Sequence, residues 1–260
     1  MHLMKYPLLL SLGLVLLGSC SKNNDDAPAA GKGSVAVKFE NYVGSTPLDL
    51  YNLGSLDGYS YVNANGDSFG VKLYKYYISN IRLVKSGGGE YAETESYHLI
   101  DQAKPESRSF SMGNVPEGSY TAVKILLGVD SARTANGPYT GDLDLLNDMF
   151  WTWSSGYIMA KVEGKSPKST MSDKSLVFHL GGYTGAYSVL REVTLPLTQT
   201  LEIKNNGTST ITLKSDILKW FEGDYLIDFS TTSEVMNPGK QAYNISLNYS
   251  KMLSVTKVEN

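Results

Sequence analysis

The chain has 260 residues, with 23 Lys and Arg against 26 Asp and Glu, so its formal net charge is −3 at pH 7. It therefore lacks the basic field that nucleic-acid binding requires, and we expect no nucleic-acid partner. Cys20 is the single cysteine, so no disulfide can form within the chain.

Residues 1–19 have the order of elements typical of an export signal. Lys5 supplies a positive charge, an apolar run extends from Leu8 to Leu17, and residues 17–20 (LGSC) match a lipobox. The apolar run is too short to span a hydrocarbon core of about 30 Å as a helix. We expect cleavage before Cys20 and lipidation of Cys20, which anchors the protein to a membrane. An ordinary secretory signal is the alternative, but it would leave a reactive thiol in an oxidising compartment.

Residues 20–33 hold the lipidated cysteine and a polar segment without apolar periodicity, which is predicted to be a flexible tether. Asp25 and Asp26 follow Cys20 closely, as acidic residues do in the surface-export signals of Bacteroidetes-type lipoproteins. We therefore expect an outer-membrane lipoprotein that faces the periplasm or the cell surface. Residues 34–260 contain no second linker, no internal repeat and no apolar stretch of membrane-spanning length, and are predicted to form one domain.

The sequence from residue 34 onwards is typical of short strands separated by turns. Residues 34–42 alternate, with Val35, Val37 and Phe39 on one face, and residues 69–84 form the longest β-branched and aromatic run. Asn206 and Gly207, between two alternating segments, predict a hairpin. Further strands are predicted at 97–101, 107–112, 119–129, 157–163, 175–180, 188–195, 200–204, 209–214 and 243–249.

Helix is scarce in this sequence. Residues 142–149 predict a short turn, and residues 215–221 predict a helix capped by Ser215 or Asp216. Many short strands with little helix predict an all-β fold, a single β-sandwich with Greek-key-like connections. A closed barrel is the alternative.

The segment from residue 128 to residue 164 contains the most unusual residues. On a strand, Trp151 and Trp153 would share a face and form one apolar wall. Core packing is the ordinary fate of such rings; stacking on a sugar, oxidation or support of a soft metal are the functional alternatives. Asp130, Asp142 and Asp144 supply oxygen donors of the kind that calcium prefers, although their spacing is not that of an EF-hand and a solvated loop is the alternative.

Four blocks of the sequence resemble the MbnP-like family, which is named for the methanobactin-associated copper-binding protein of methane-oxidising bacteria. They are KLYKYYISNIRL (72–83), LLGVDS (126–131), MFWTWSSGYIMAKVEG (149–164) and FHLGG (178–182). The resemblance extends from about Val35 to Val258. It implies a secreted β-sandwich that is associated with copper.

The resemblance also implies a way of holding the metal, in which histidines bind copper together with a kynurenine that a di-haem peroxidase-like partner makes from tryptophan. His179 lies in a family block and is the first candidate ligand, because imidazole is a favoured copper donor. Trp151 or Trp153 corresponds to the modified residue. His98 can contribute only if its strand packs beside the Trp segment. Soft thioethers are available as further donors at Met149, Met159 and Met171.

The sequence contains neither a G-x-S-x-G nor an H-E-x-x-H motif. We therefore expect a binding protein rather than an enzyme, and copper handling at the cell envelope is the first hypothesis. Two alternatives stay open. The first is a surface module that binds glycans through its tryptophans and its 18 tyrosines, and the second is a structural component of an outer-membrane assembly.

Overall fold

The structure is a computed structural model that describes Met1 and residues 31–51, 59–153 and 156–260. Cys20, the export signal and most of the predicted tether therefore lie outside the described residues. The first strand begins at Lys32, inside the range 20–33 that the sequence predicted to be tether.

Strands make up about half of the described residues. They are β1 (Lys32–Val43), β2 (Thr46–Pro47), β3 (Tyr61–Val62), β4 (Ser68–Lys85), β5 (Glu90–Ala92), β6 (Tyr97–Asp101), β7 (Ser109–Pro116), β8 (Gly118–Leu127), β9 (Phe150–Trp151), β10 (Gly156–Lys165), β11 (Ser175–Gly181), β12 (Arg191–Ile203), β13 (Thr208–Asp216), β14 (Glu234–Val235) and β15 (Leu253–Glu259). The helices are α1 (Ser131–Asn136), α2 (Leu218–Phe221) and α3 (Lys240–Tyr249). None of the described helices is long and apolar enough to cross a membrane.

The strands form two sheets that pack face to face. The small sheet has the order β15-β13-β1-β2, with β7 also paired to β1, and the large sheet has the order β12-β8-β4-β10-β11-β14. The Tyr74 hydroxyl lies 2.7 Å from Ser215 Oγ, and the Tyr76 hydroxyl donates to Asn41 Oδ1 at 2.9 Å, so the two sheets contact each other directly. The predicted all-β sandwich is confirmed.

Strand β4 is central to the large sheet and defines its two faces. Tyr76 pairs with Ile100 of β6 on one side and with Ala160 of β10 on the other, so β4 lies between these two strands. Tyr74 and Tyr76 point towards the small sheet and are fully buried. Because side chains alternate along a strand, Lys75 and Tyr77 point the other way, to what we call the outer face.

The predicted hairpin at Asn206 and Gly207 is wrong, although the turn itself is present. Gly207 N–H donates to Lys204 O at 2.9 Å. The strands that flank this turn belong to different sheets, since β12 pairs with β8 and β13 pairs with β1. The start of β1 occupies the corner, where Ser34 N–H donates to Gly207 O. The turn therefore passes the chain from one sheet to the other.

Residues 243–249 form a helix rather than the predicted strand. The alternation of Tyr243, Ile245, Leu247 and Tyr249 indicated a strand, but Ala242, Ile245, Ser246 and Tyr249, which are buried in α3, have the i, i+3, i+4, i+7 spacing of one helix face. Helix α2 begins at Leu218, close to the predicted capped helix, and the Asp216 carboxylate accepts its first N–H. Helix α1 and strand β15 were not predicted.

Candidate functional site

A row of charged side chains crosses the outer face of the large sheet. Lys75 pairs with Asp101 on one neighbouring strand and with Lys161 on the other, and Lys161 pairs with His179 of β11. Residues directly opposite one another in a sheet project to the same face. Asp101, Lys75, Lys161 and His179 therefore form one line across four strands.

A loop covers this row and accepts hydrogen bonds from its two buried lysines. The covering loop, residues 141–149, contains two 3-10 turns, Gly141–Leu143 and Leu145–Asn147. Lys75 Nζ donates to Asn147 O at 3.2 Å and lies 3.2 Å from Asp101 Oδ2. Lys161 Nζ donates to Asp148 O at 3.1 Å and to Asp148 Oδ2 at 2.5 Å, and its side chain is only 3% exposed. Both ammonium groups thus have charged partners, as buried charges require.

His179, at the end of this row, forms a hydrogen-bonded pair with Glu163. His179 Nε2 lies 2.9 Å from Glu163 Oε1, and the histidine is 7% exposed. The hydrogen bond to His179 holds the pKa of Glu163 below its ordinary value, and the charge of Lys161, 3.6 Å from the same oxygen, acts in the same direction. Glu163 is therefore a carboxylate that accepts from His179. Its side chain keeps 26% of its surface exposed.

Trp151 lies on the same face as His179. It pairs with Gly156, and its ring rests on Gly181, where a Cβ atom would lie only 2.3 Å from Trp151 Cζ3. Gly181 is two residues beyond His179 on β11, so both project to the outer face. Trp151 is 5% exposed. The absence of a side chain at Gly181 thus makes room for the Trp151 ring.

Trp153 is exposed rather than buried. Its ring centroid lies 5.1 Å from that of Trp151, with an angle of 36° between the ring planes, so the two rings are neighbours as predicted. Strand β9 ends at Trp151, however, and Trp153 lies in the turn that follows, with 63% of its surface exposed. The pair therefore reaches from the surface to the interior instead of forming one buried wall.

The structure does not bring His98 to His179. His98 pairs with Ile78, which places it on the face opposite to the outer face, and its ring stacks on Phe110 of the small sheet at 3.5 Å. Its Nε2 lies 2.9 Å from Glu93 Oε2. Strands β4 and β10 separate the two histidine strands, a distance of about 14 Å at ordinary strand spacing. The condition under which His98 could join His179 in a copper site, that its strand packs beside the Trp segment, is therefore not met.

The three aspartates proposed for calcium do not converge either. Asp130 caps helix α1, Asp142 accepts the backbone N–H of Leu99, and Asp144 caps the turn Leu145–Asn147. Each carboxylate is thus engaged in holding local backbone. Across the described ranges, no group of three or more His, Cys, Asp or Glu side chains could hold a metal ion. The structure gives the calcium hypothesis no site.

An open cavity of about 500 Å³ lies next to the Trp block. The cavity is lined by Gly156, the pairing partner of Trp151, and by Gly182, which follows Gly181 in the chain. Its other walls are Tyr183, Thr184, Gly185, Ala186, Tyr187, Pro238 and Gly239. Segments distant in the chain form this cavity, so it could not be predicted from the sequence.

This arrangement defines a β-sandwich with a histidine–carboxylate pair and an indole pair on one covered face. The profile of the MbnP family matches residues 32–237, and the chain belongs to that family. Among solved structures, it is similar to MbnP from Methylosinus trichosporium, with 12% identity, a TM-score of 0.48, and coverage of 78% of this chain and 79% of that chain. No curated protein matches the sequence.

Proposed function

We propose that this protein is a non-catalytic, exported lipoprotein that handles copper on the outer face of its large sheet. Its family is associated with copper. The observation that carries the proposal is the His179–Glu163 pair, which lies on the same face as Trp151. The anchor is the lipid on Cys20, and the site faces the periplasm or the cell surface.

The side chains present fit copper in part. Copper(II) favours nitrogen and oxygen donors, and the His179 imidazole and the Glu163 carboxylate supply one of each, 2.9 Å apart. A third donor is needed. Oxidation of Trp151 to kynurenine by a di-haem peroxidase-like partner, as the family resemblance implies, would add an aromatic amine on the same face.

Lys161 lowers the affinity of such a site for copper. Its ammonium lies 3.6 Å from Glu163 Oε1, and its positive charge opposes a metal ion that approaches that carboxylate. We therefore expect copper to bind reversibly and to be passed on, which suits handling rather than permanent storage.

Metal analysis and intact mass of the mature protein from its native host, grown with and without added copper, test the proposal. We expect bound copper, together with the mass change of kynurenine on the peptide that contains Trp151. His98→Ala is the matched control for His179→Ala, since each histidine is hydrogen-bonded to one glutamate. Loss of copper in the His179 variant alone supports the proposal. Equal retention in both variants, or no copper in the wild type, contradicts it.

A second candidate function is the binding of a sugar-like ligand at the cavity beside the Trp block. Tyr187 lines this cavity and is 49% exposed, and Trp153, three residues before the cavity-lining Gly156, is 63% exposed. Exposed aromatic rings offer flat apolar faces with polar edges. Titration with a panel of soluble glycans tests this candidate: binding that Tyr187→Ala abolishes and His179→Ala leaves intact favours it over copper.

A further inference from the structure

The indole pair connects the solvent to the interior of the covered face. Trp153 has 63% of its surface exposed, whereas Trp151 has 5%. The Trp151 ring packs on Gly181, which lies two residues beyond His179 on β11. Their ring centroids are 5.1 Å apart. Electron transfer between aromatic rings is efficient at contact and falls steeply with distance, so this pair has the geometry of a two-step path.

We propose that Trp153 and Trp151 form an electron relay, in which Trp153 is the surface residue that an external oxidant reaches and Trp151 is the interior residue that is oxidised. The inference deepens the proposed function and rests on it for the purpose of the oxidation, since Trp151 lies on the same face of the sheet as the histidine–carboxylate pair. It names Trp153 as the contact point of the oxidising partner.

Burial supports the assignment of the two positions. An oxidant carried by a protein, such as an iron(IV) haem, is too large to touch a ring that is 5% exposed. Trp220, the third tryptophan, is fully buried in the core and packs against Tyr74 and Tyr249. Of the three indoles, all of them in the described part of the chain, Trp153 alone is open to such a partner.

The relay balances in electrons and protons. A one-electron oxidant takes an electron from Trp153 and is reduced by one unit, which leaves the Trp153 radical cation. Trp151 then gives one electron to Trp153, which returns to its original state. The indole N–H proton of the Trp151 radical cation passes to water, and a neutral Trp151 radical remains. The net change is one electron and one proton lost from Trp151.

A photochemical oxidant tests the relay without the natural partner. Flash illumination of ruthenium(II) tris(bipyridine) with a cobalt(III) acceptor makes a bulky ruthenium(III) oxidant in solution. Stable oxidation products on each tryptophan are then located by fragment mass spectrometry. Trp153→Phe keeps a ring against Trp151 but removes the oxidisable indole. Leu146→Ser is the matched control, because it changes a side chain of the covering loop that is 92% exposed and leaves the indole pair intact.

We expect oxidised Trp151 in the wild type and in Leu146→Ser. In Trp153→Phe, Trp151 oxidation should fall to the level of the buried Trp220 in the same sample. Wild-type oxidation of Trp151 in Trp153→Phe, with an unchanged melting temperature, overturns the relay. Copper content is read separately: a working relay in a protein that binds no copper overturns the proposed function alone, and copper binding without Trp153-dependent oxidation overturns the relay alone.

Discussion

Truncation of Trp151 should destabilise the domain far more than truncation of Trp153. Trp151 is 5% exposed and fills the space above Gly181, so Trp151→Ala leaves a cavity there. Replacing a buried tryptophan by alanine costs about 3–5 kcal/mol of unfolding free energy. For a domain of this size, that loss lowers the melting temperature by about 6–20 °C. Trp153→Ala gives up exposed surface and one ring contact, and we expect a cost within about 1.5 kcal/mol.

Urea unfolding of the wild type and the two variants, followed by far-ultraviolet circular dichroism, measures both losses. Circular dichroism is preferred because the substitutions remove part of the tryptophan fluorescence. The unfolding slope should stay constant, since a change in slope would mean that the variant no longer unfolds in one step. Equal losses for the two variants, or a Trp151 variant as stable as the wild type, would refute the assignment of Trp151 to the interior and Trp153 to the surface.

Three further predictions concern the same face. Gly181→Ala should cost about 1–3 kcal/mol in urea unfolding, because its methyl group would lie 2.3 Å from the Trp151 ring; a double-mutant cycle should show a smaller cost in a Trp151→Ala background. Lys161→Met should cost about 1–3 kcal/mol of unfolding free energy, because two oxygens of Asp148 in the covering loop lose their buried donor. An unchanged urea midpoint would argue that these hydrogen bonds do not hold the loop. The pKa of Glu163 lies below its ordinary 4.5, chiefly through His179, so its stabilising effect is present above that value and is lost as the pH falls. His179→Ala should therefore lose less stability on acidification than the wild type. Urea unfolding midpoints of both proteins, measured at neutral pH and at acidic pH, will show this difference.

The sequence predicts the strands well where one face is continuously apolar. Val35, Val37 and Phe39 alternate with polar residues, and the structure places them in the core of β1. Residues 242–249 show the limit of this reasoning, since Ile245 and Tyr249 belong both to an alternating set typical of a strand and to a set with helical spacing. Tertiary contacts decide between them: Asn248 is fully buried in α3 and donates to the backbone oxygen of Trp220.

The candidate site could be predicted only in part. His179 and the Trp pair lie in recognisable sequence blocks. The neighbouring residues do not show which indole is buried, because the room for the Trp151 ring comes from Gly181 on another strand. Lys161 and Glu163 alternate within β10 and so share a face, as the sequence allows one to infer. That this face is covered, and by which loop, depends on pairing between strands far apart in the chain.

The position of β1 also determines how the domain responds to tension. Strand β1 lies between β13 and β7 in the small sheet, and residues 34–42 pair with 208–216 in parallel register. A pull transmitted through the chain that precedes Lys32 therefore acts along a central strand. Such a force loads the hydrogen bonds of both neighbouring ladders in shear, so they must break together rather than one after another. The domain should resist extension through its N-terminal side more strongly than through an edge strand such as β15.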